Sequence, residues 1–221
     1  MHCNTLLQIG DRHLGNCLLR KSDCELIPID FGHTFGSATF LLAVPELIPF
    51  RHSKQMIELM SPHPNRNAAL EAYMLTIMKA MISEKSLLLS SMKAYLVDPI
   101  LEWRQKSSNS LIQKFESLKI KSQNQTCLNI VKKKLACESP FNILIDTLQT
   151  NKNPDFKEFK QVALNFVASL QNNYKNITCN NSVCDDNDED RAIKDQIRQL
   201  MMLATDERVH YRSWHGLNLW C

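Results

Sequence analysis

Two short stretches near the start of the chain carry the residue types that phosphoryl transfer needs. The first reads Gly10-Asp11-Arg12-His13-Leu14-Gly15-Asn16 and the second Ile29-Asp30-Phe31-Gly32. Moving a phosphoryl group from ATP to a hydroxyl requires a carboxylate to receive or orient the hydroxyl's proton, and oxygen ligands that hold Mg2+ against the phosphates. Asp11 is suited to the first task, and Asn16 and Asp30 to the second. His13, two residues beyond Asp11, can serve the transferring group as donor or proton partner. Either stretch alone would pass for an ordinary turn. Their order, joined by a hairpin-length segment, makes the pair specific.

Positioning these groups falls first to that hairpin. Cys17-Leu18-Leu19 and Leu26-Ile27-Pro28-Ile29 flank the polar turn Arg20-Lys21-Ser22-Asp23, a pattern that brings Asn16 and Asp30 to one place. From about residue 53 the spacing turns helical. Met56, Leu59 and Met60 share one face, as do Ala69, Tyr73, Ile77, Ala80 and Met81. The absence of Gly between residues 37 and 215 favours long helices. Further helices are expected over 86–97, 110–119, 126–136, 140–149 and 155–170, broken at Asp98-Pro99, Ser139-Pro140 and Asn153-Pro154.

Between Gln171 and Asp190 the chain is Asn-rich and then acidic, the composition of a solvated linker. Beyond it Ile193, Ile197, Leu200, Met201 and Ala204 form the stripe of a helix that docks. Tyr211, Trp214, Leu217, Leu219 and Trp220 follow, a terminus that should pack back on the body. The expected fold is mainly α with a short β-hairpin near the N-terminus.

The bulk properties agree with one soluble domain plus an appendage: 221 residues, 44% apolar, formal charge +3. The basic residues are scattered, so direct DNA contact is not supported, and no apolar run approaches a membrane span. The eight cysteines show no paired metal-site spacing and read as reduced thiols. Met56, Met60, Met74, Met78 and Met81 read as core filler.

In ordinary protein kinases the catalytic loop is H-R-D-L-x-x-x-N, with five positions from the base to the metal-binding Asn. Asp11 and Asn16 keep that spacing, the His follows the Asp as His13, and D-F-G is intact at 30–32. The inverted D-R-H-x-x-N order, G-D-R-H and I-D-F-G-H resemble the phosphatidylinositol 3-kinase-related protein kinase family. So does the stretch from Gly32 through Thr39 and on from Val44 to Arg51, and Lys132-Lys133-Lys134-Leu135-Ala136 is similar to the family's late kinase region. The tail from about Glu189 to Cys221 resembles its FATC element, although Trp214 to Cys221 departs from the usual W-x-P-[FW]-[WM] ending.

This resemblance implies a kinase C-terminal lobe over 1–170, with a catalytic loop at 9–17 and an activation segment at 30–51. A polar linker over 171–188 and a docked FATC helix within 189–221 would follow. It implies Asp11 as base with His13 beside it, and Asn16 and Asp30 holding Mg2+ and, through it, ATP. Phe31, Gly32, His33, Gly36, Pro45 and Glu46 would frame the protein substrate. The absence of any Lys or Arg between Asp30 and Phe50 disfavours a phosphoinositide headgroup. Through the resemblance the complete protein is placed in the nucleus, joining broken DNA ends with Ku-type factors and contacting DNA through segments outside these residues. No Gly-rich loop or phosphate-binding Lys precedes Asp11, so the 221 residues alone are expected to be inactive. The rival reading is a non-catalytic helical fragment acting as a scaffold.

Overall fold

The computed structural model describes residues 6, 9–11, 13–23, 25–34, 36–40, 42, 44–50, 52–59, 66–96, 125–151, 154–179 and 188–210. Two strands, β1 (Cys17–Leu19) and β2 (Leu26–Pro28), pair antiparallel with Leu18 opposite Ile27. Their turn is tied by Arg20, whose guanidinium meets Asp23 at 3.0 Å and Glu25 at 2.6 Å. The rest is helical: α1 (Ser37–Phe40), α2 (Lys54–Leu59), α3 (Arg66–Ser83), α4 (Lys85–Leu96) and α5 (125–135). After these come α6 (Pro140–Thr150), α7 (Lys160–Cys179), α8 (Asp188–Thr205) and α9 (Glu207–His210). The mainly α fold with one N-terminal hairpin is what the sequence predicts.

Each core follows from a helical stripe. Pro140 opens α6, where its fixed φ suits the first turn and its missing N–H costs nothing. Phe141, Leu144 and Leu148 then recur on one face and pack on Ala163, Val167, Leu170 and Tyr174 of α7. A second core joins Met74 and Met78 of α3 to Ile193, Ile197, Leu200 and Ala204 of α8, with Phe50 beneath them. The expected stripe of the docking helix is therefore the buried one. At its rim Lys79 pairs with Asp190 at 2.7 Å and Arg198 with Glu71 at 3.1 Å.

Two expectations need correction. The buried face of α3 is Met74 and Met78 with Leu70 and Met81 partly covered, while Tyr73 stands 64% exposed and Ala69 and Ala80 face solvent. Apolar residues occur all round this helix, so periodicity alone could not choose the side that α8 would cover. The second correction concerns α7, which begins at Lys160 after a 3-10 turn at Pro154–Phe156 and runs through Cys179, well into the stretch read as linker. Tyr174 explains the extension: its ring packs in the core and its hydroxyl donates to Asp195 at 2.5 Å, anchoring a polar sequence as helix. The expected helix over 110–119, Met60 and the aromatic terminus lie outside the described residues. Among the described residues no helix is long and apolar enough to cross a membrane.

Candidate active site

The loop carrying Asp11 lies against the segment that follows Asp30 because residue 10 is glycine. The Gly10 N–H donates to the His33 carbonyl at 2.8 Å. A Cβ at Gly10 would lie 2.4 Å from Ala38 Cβ and 2.7 Å from Glu46 Oε2, closer than side-chain atoms approach. Asp11 follows with φ 57°, the left-handed conformation that Asp tolerates better than most residues. That bend is secured from across the site: the Asp11 N–H donates to Glu46 Oε2 at 2.6 Å.

Glu46 is itself built in. Its carbonyl accepts the Thr39 hydroxyl at 2.7 Å, its N–H donates to the Ala38 carbonyl at 3.1 Å, and the residue is buried. The Asn151 amide, at the end of α6, donates to the Thr39 carbonyl at 3.1 Å and the Leu42 carbonyl at 3.4 Å. A chain of hydrogen bonds thus runs from the helical body through α1 and Glu46 to the backbone of Asp11. Sequence reasoning gave Glu46 to the substrate segment and missed Thr39 and Asn151. The only prior signal was an Asn closing a helix, which reads as a cap.

The predicted chemical groups converge around this frame. Asn16 is buried, and its Nδ2 donates to the Asp11 carbonyl at 2.8 Å and to Asp11 Oδ2 at 3.3 Å. With the amide nitrogen committed to Asp11, the amide oxygen is the atom left to act as a ligand. His13 Nε2 lies 3.8 Å from Asp11 Oδ1, and His13 Nδ1 is buried with no hydrogen-bond partner. The hairpin does what its position predicts: the Ile29 N–H donates to the Asn16 carbonyl at 3.0 Å, so the chain entering Asp30 lies against the loop of Asp11 and Asn16.

Asp30 also has a left-handed φ, 55°, and its Oδ1 accepts the Gly32 N–H at 3.1 Å, which turns the backbone at Phe31. Ile29 and Phe31 are exposed beside it, 37% and 51%. His33 lies with Nδ1 3.3 Å from the Ser37 hydroxyl, Gly36 takes φ 78° where the chain enters α1, and Pro45 is buried beside Glu46. Asp11, His13, Asn16, Asp30, Gly32, His33 and Glu46 are thereby linked through one loop system, while Gly36 and Pro45 shape its backbone.

Among the described residues no three His, Cys, Asp or Glu side chains gather as a metal cage. An amide oxygen and a carboxylate are hard donors, and two such ligands suit an ion that keeps waters and phosphates for its remaining positions. The donor set fits Mg2+ held jointly with a nucleotide.

Residues 3–105 match the family described as phosphatidylinositol 3- and 4-kinase. The chain is 30% identical over 224 residues to the DNA-dependent protein kinase catalytic subunit of Gallus gallus, an alignment covering 97% of this chain and 5% of that protein. It is 30% identical over 220 residues to the protein of that name in Dictyostelium discoideum, covering 98% of this chain and 5% of the relative. The chain belongs to the phosphatidylinositol 3-kinase-related protein kinase family. Protein kinase rad3 of Schizosaccharomyces pombe is 30% identical over 129 residues, 58% of this chain and 5% of its own. This chain therefore spans about 5% of the length of these relatives. The mainly α body with its N-terminal hairpin is consistent with the C-terminal lobe of a kinase of this family.

Proposed function

We propose that this chain supplies the catalytic loop, metal ligands and substrate segment of a serine/threonine protein kinase. The observation that carries the proposal is the coupling of Asp11 to both of its neighbours. Asn16 holds its carboxylate at 3.3 Å and Glu46 holds its N–H at 2.6 Å, while the hairpin leads Asp30 in beside them.

In this reading Asp11 orients the attacking Ser or Thr hydroxyl and takes its proton, and the Asn16 amide keeps the carboxylate at a fixed angle. His13 sits beside the transferring group, with its Nε2 on the Asp11 side at 3.8 Å from Oδ1 as the nitrogen that would serve there. Asn16 Oδ1 and the Asp30 carboxylate would hold Mg2+, which with bound ATP supplies neutralisation of the charge that develops on the phosphoryl oxygens. Phe31, Gly32, His33, Gly36, Pro45 and Glu46 border the place of the substrate chain. That border carries no Lys or Arg from Asp30 to Phe50, which favours a protein hydroxyl over an inositol phosphate. The exposed Ile29 and Phe31 are the wall that an adenine-holding lobe would cover. Alone, the 221 residues build one side of a cleft and should bind ATP weakly.

We assign residues 1–170 to the lobe and 189–221 to an FATC element, with α7 carrying the lobe into the 171–188 connection. The relatives' name, DNA-dependent protein kinase catalytic subunit, supports a kinase that responds to DNA, and the family resemblance extends the proposal to a nuclear protein acting with Ku-type factors in non-homologous end joining. The test is phosphate transfer from ATP to a Ser/Thr protein substrate by the whole protein carrying this sequence, with and without linear duplex DNA. Asp11→Asn should lower the rate by about a hundredfold or more, the usual worth of a positioned base. Unchanged transfer by that variant would remove Asp11 from the chemistry.

A further inference from the structure

His52 follows the segment that carries Glu46 and Phe50, and it is 1% exposed although its ring is polar. That ring tilts against Phe50 with 6.3 Å between centroids, and Phe50 is buried in the second core with Met74 of α3 and Ile197 and Ala204 of α8. His52 Nε2 is buried and has no hydrogen-bond partner. Nearby stands His210, the last residue of α9, whose Nε2 lies 2.7 Å from the Ala204 carbonyl in the last turn of α8. Two imidazoles thus flank the place where the segment after Asp30 rests on the tail helices.

Among the described residues, His210 is the titratable group whose charge acts on His52. Asp206 and Arg208 of the turn into α9 are engaged with each other at 2.8 Å, Lys54 at the start of α2 is exposed, and the side chains that α3 and α8 give to the second core are apolar. A neutral imidazole can leave Nε2 bare, whereas the imidazolium carries an N–H on both nitrogens. Charging His52 in place would bury a positive charge and an N–H with no acceptor, close to a second imidazole. Burial, and then the His210 charge, accordingly hold the His52 pKa below 6.5.

We propose that His52 and His210 form an acid-released latch: a neutral His52 keeps Phe50 docked on α8, and a protonated His52 turns out to water and loosens the tail helices from the segment after Asp30. His210 can gain a proton without leaving its place, because its Nε2 already faces a carbonyl at a helix C-terminus, where positive charge is favoured. The contribution of a neutral His52 to docking is fully present above about pH 6.5 and declines as the pH falls below it. An effect on turnover rests on the kinase reading above: Glu46, which holds the Asp11 N–H, lies on the same segment as Phe50, so loosening Phe50 relaxes the hold on Asp11.

The test uses the whole protein carrying this sequence. Amide hydrogen exchange over α8, corrected for its intrinsic pH dependence, is compared at about pH 7.5 and about pH 5.5, the range in which a histidine changes charge. Protection should fall in acid by up to about tenfold, the ceiling set by an unfolded histidine pKa of about 6.5. His52→Leu, apolar and of similar reach, should abolish the fall. His210→Gln keeps a donor for the Ala204 carbonyl but cannot charge, and should weaken it. Phosphate transfer should drop severalfold more over this range in the unmodified protein than in His52→Leu. Constant α8 protection in the unmodified protein, a fall that survives His52→Leu, or equal acid losses of transfer in the two proteins would each overturn the proposal. A protein that transfers no phosphate at any pH would sink the kinase reading instead, and α8 exchange would still decide the latch. Should His52→Leu fail to fold, an undiminished fall in His210→Gln overturns the proposal by itself.

Discussion

Around Asp11 the chain is held by a handful of directed hydrogen bonds, whereas around Phe141 it is held by undirected burial. The loop system places two non-Gly residues, Asp11 and Asp30, at positive φ, and holds them through the Asp11 N–H to Glu46, the Asn16 amide to Asp11 and the Gly32 N–H to Asp30. The body buries Phe141, Leu148, Phe156 and Val167 almost completely. A strained backbone held by few contacts gives angular precision and little stability, and packed side chains give the reverse. The two regions meet at Asn151, which closes α6 and grips α1.

The largest effect should come from breaking the body. Phe141→Ala removes a ring that is 1% exposed and should cost about 3–5 kcal/mol in urea unfolding followed by helical circular dichroism. The rate per folded molecule of the whole kinase should hardly change. A large loss of rate in the folded fraction would mean that body packing sets the loop angles directly.

Glu46 offers the converse. Glu46→Ala leaves the Asp11 N–H without its acceptor and should cost about 1–3 kcal/mol of stability. If Asp11 is the base proposed above, its carboxylate would then swing, and turnover should fall by about tenfold to a hundredfold while KM for ATP stays near its original value. Glu46→Gln keeps an oxygen at the same reach and should restore most of the loss. If the alanine and glutamine variants behave alike, the bond to Asp11 is not what Glu46 contributes.

Asn151→Ala tests the junction, and an intermediate result is expected. Losing two bonds to the carbonyls of Thr39 and Leu42 should cost about 1–2 kcal/mol, with a severalfold fall in turnover transmitted through Thr39 and Glu46. A stability loss with no change in turnover would separate the two regions completely.

The same contrast decides what could be read from residue types. Asp11, Asn16 and Asp30 could be named as candidates because phosphoryl transfer demands particular side chains at particular spacings, and the structure brings their loops together. The hairpin was legible from two apolar runs around a polar turn, α6 from the Ser139-Pro140 break before it, and α8 from a stripe that proved buried. What escaped was relational. Nothing in the residues around Tyr73 says which side of an evenly apolar helix α8 will choose. The polar run after Gln171 looks like linker until Tyr174 is seen anchored to Asp195. Glu46 and Asn151 act on partners 35 and 112 positions away, on Asp11 and Thr39, a separation that local pattern cannot bridge.

The smallest expected effect concerns acidity at the edge of the second core. His52 is 1% exposed, tilted against the Phe50 ring at 6.3 Å between centroids, and its Nε2 has no partner. Burial holds its pKa below 6.5, and the nearby His210 lowers it further. The folded state therefore binds the His52 proton less readily than the unfolded chain does. Stability from a neutral His52 is fully present above the unfolded value of about 6.5 and declines as pH falls from there toward the lower folded value. His52→Leu should flatten that limb, so the difference in unfolding midpoint between pH 7.5 and pH 5.5 should shrink relative to the unmodified chain. Because His52 follows the activation segment and His210 lies in α9 behind the tail helix, a shared limb lost in both His52→Leu and His210→Gln would show the two ends coupled through this pair. A limb that survives His52→Leu unchanged would assign the acid sensitivity to other groups and leave the second core indifferent to its buried imidazole.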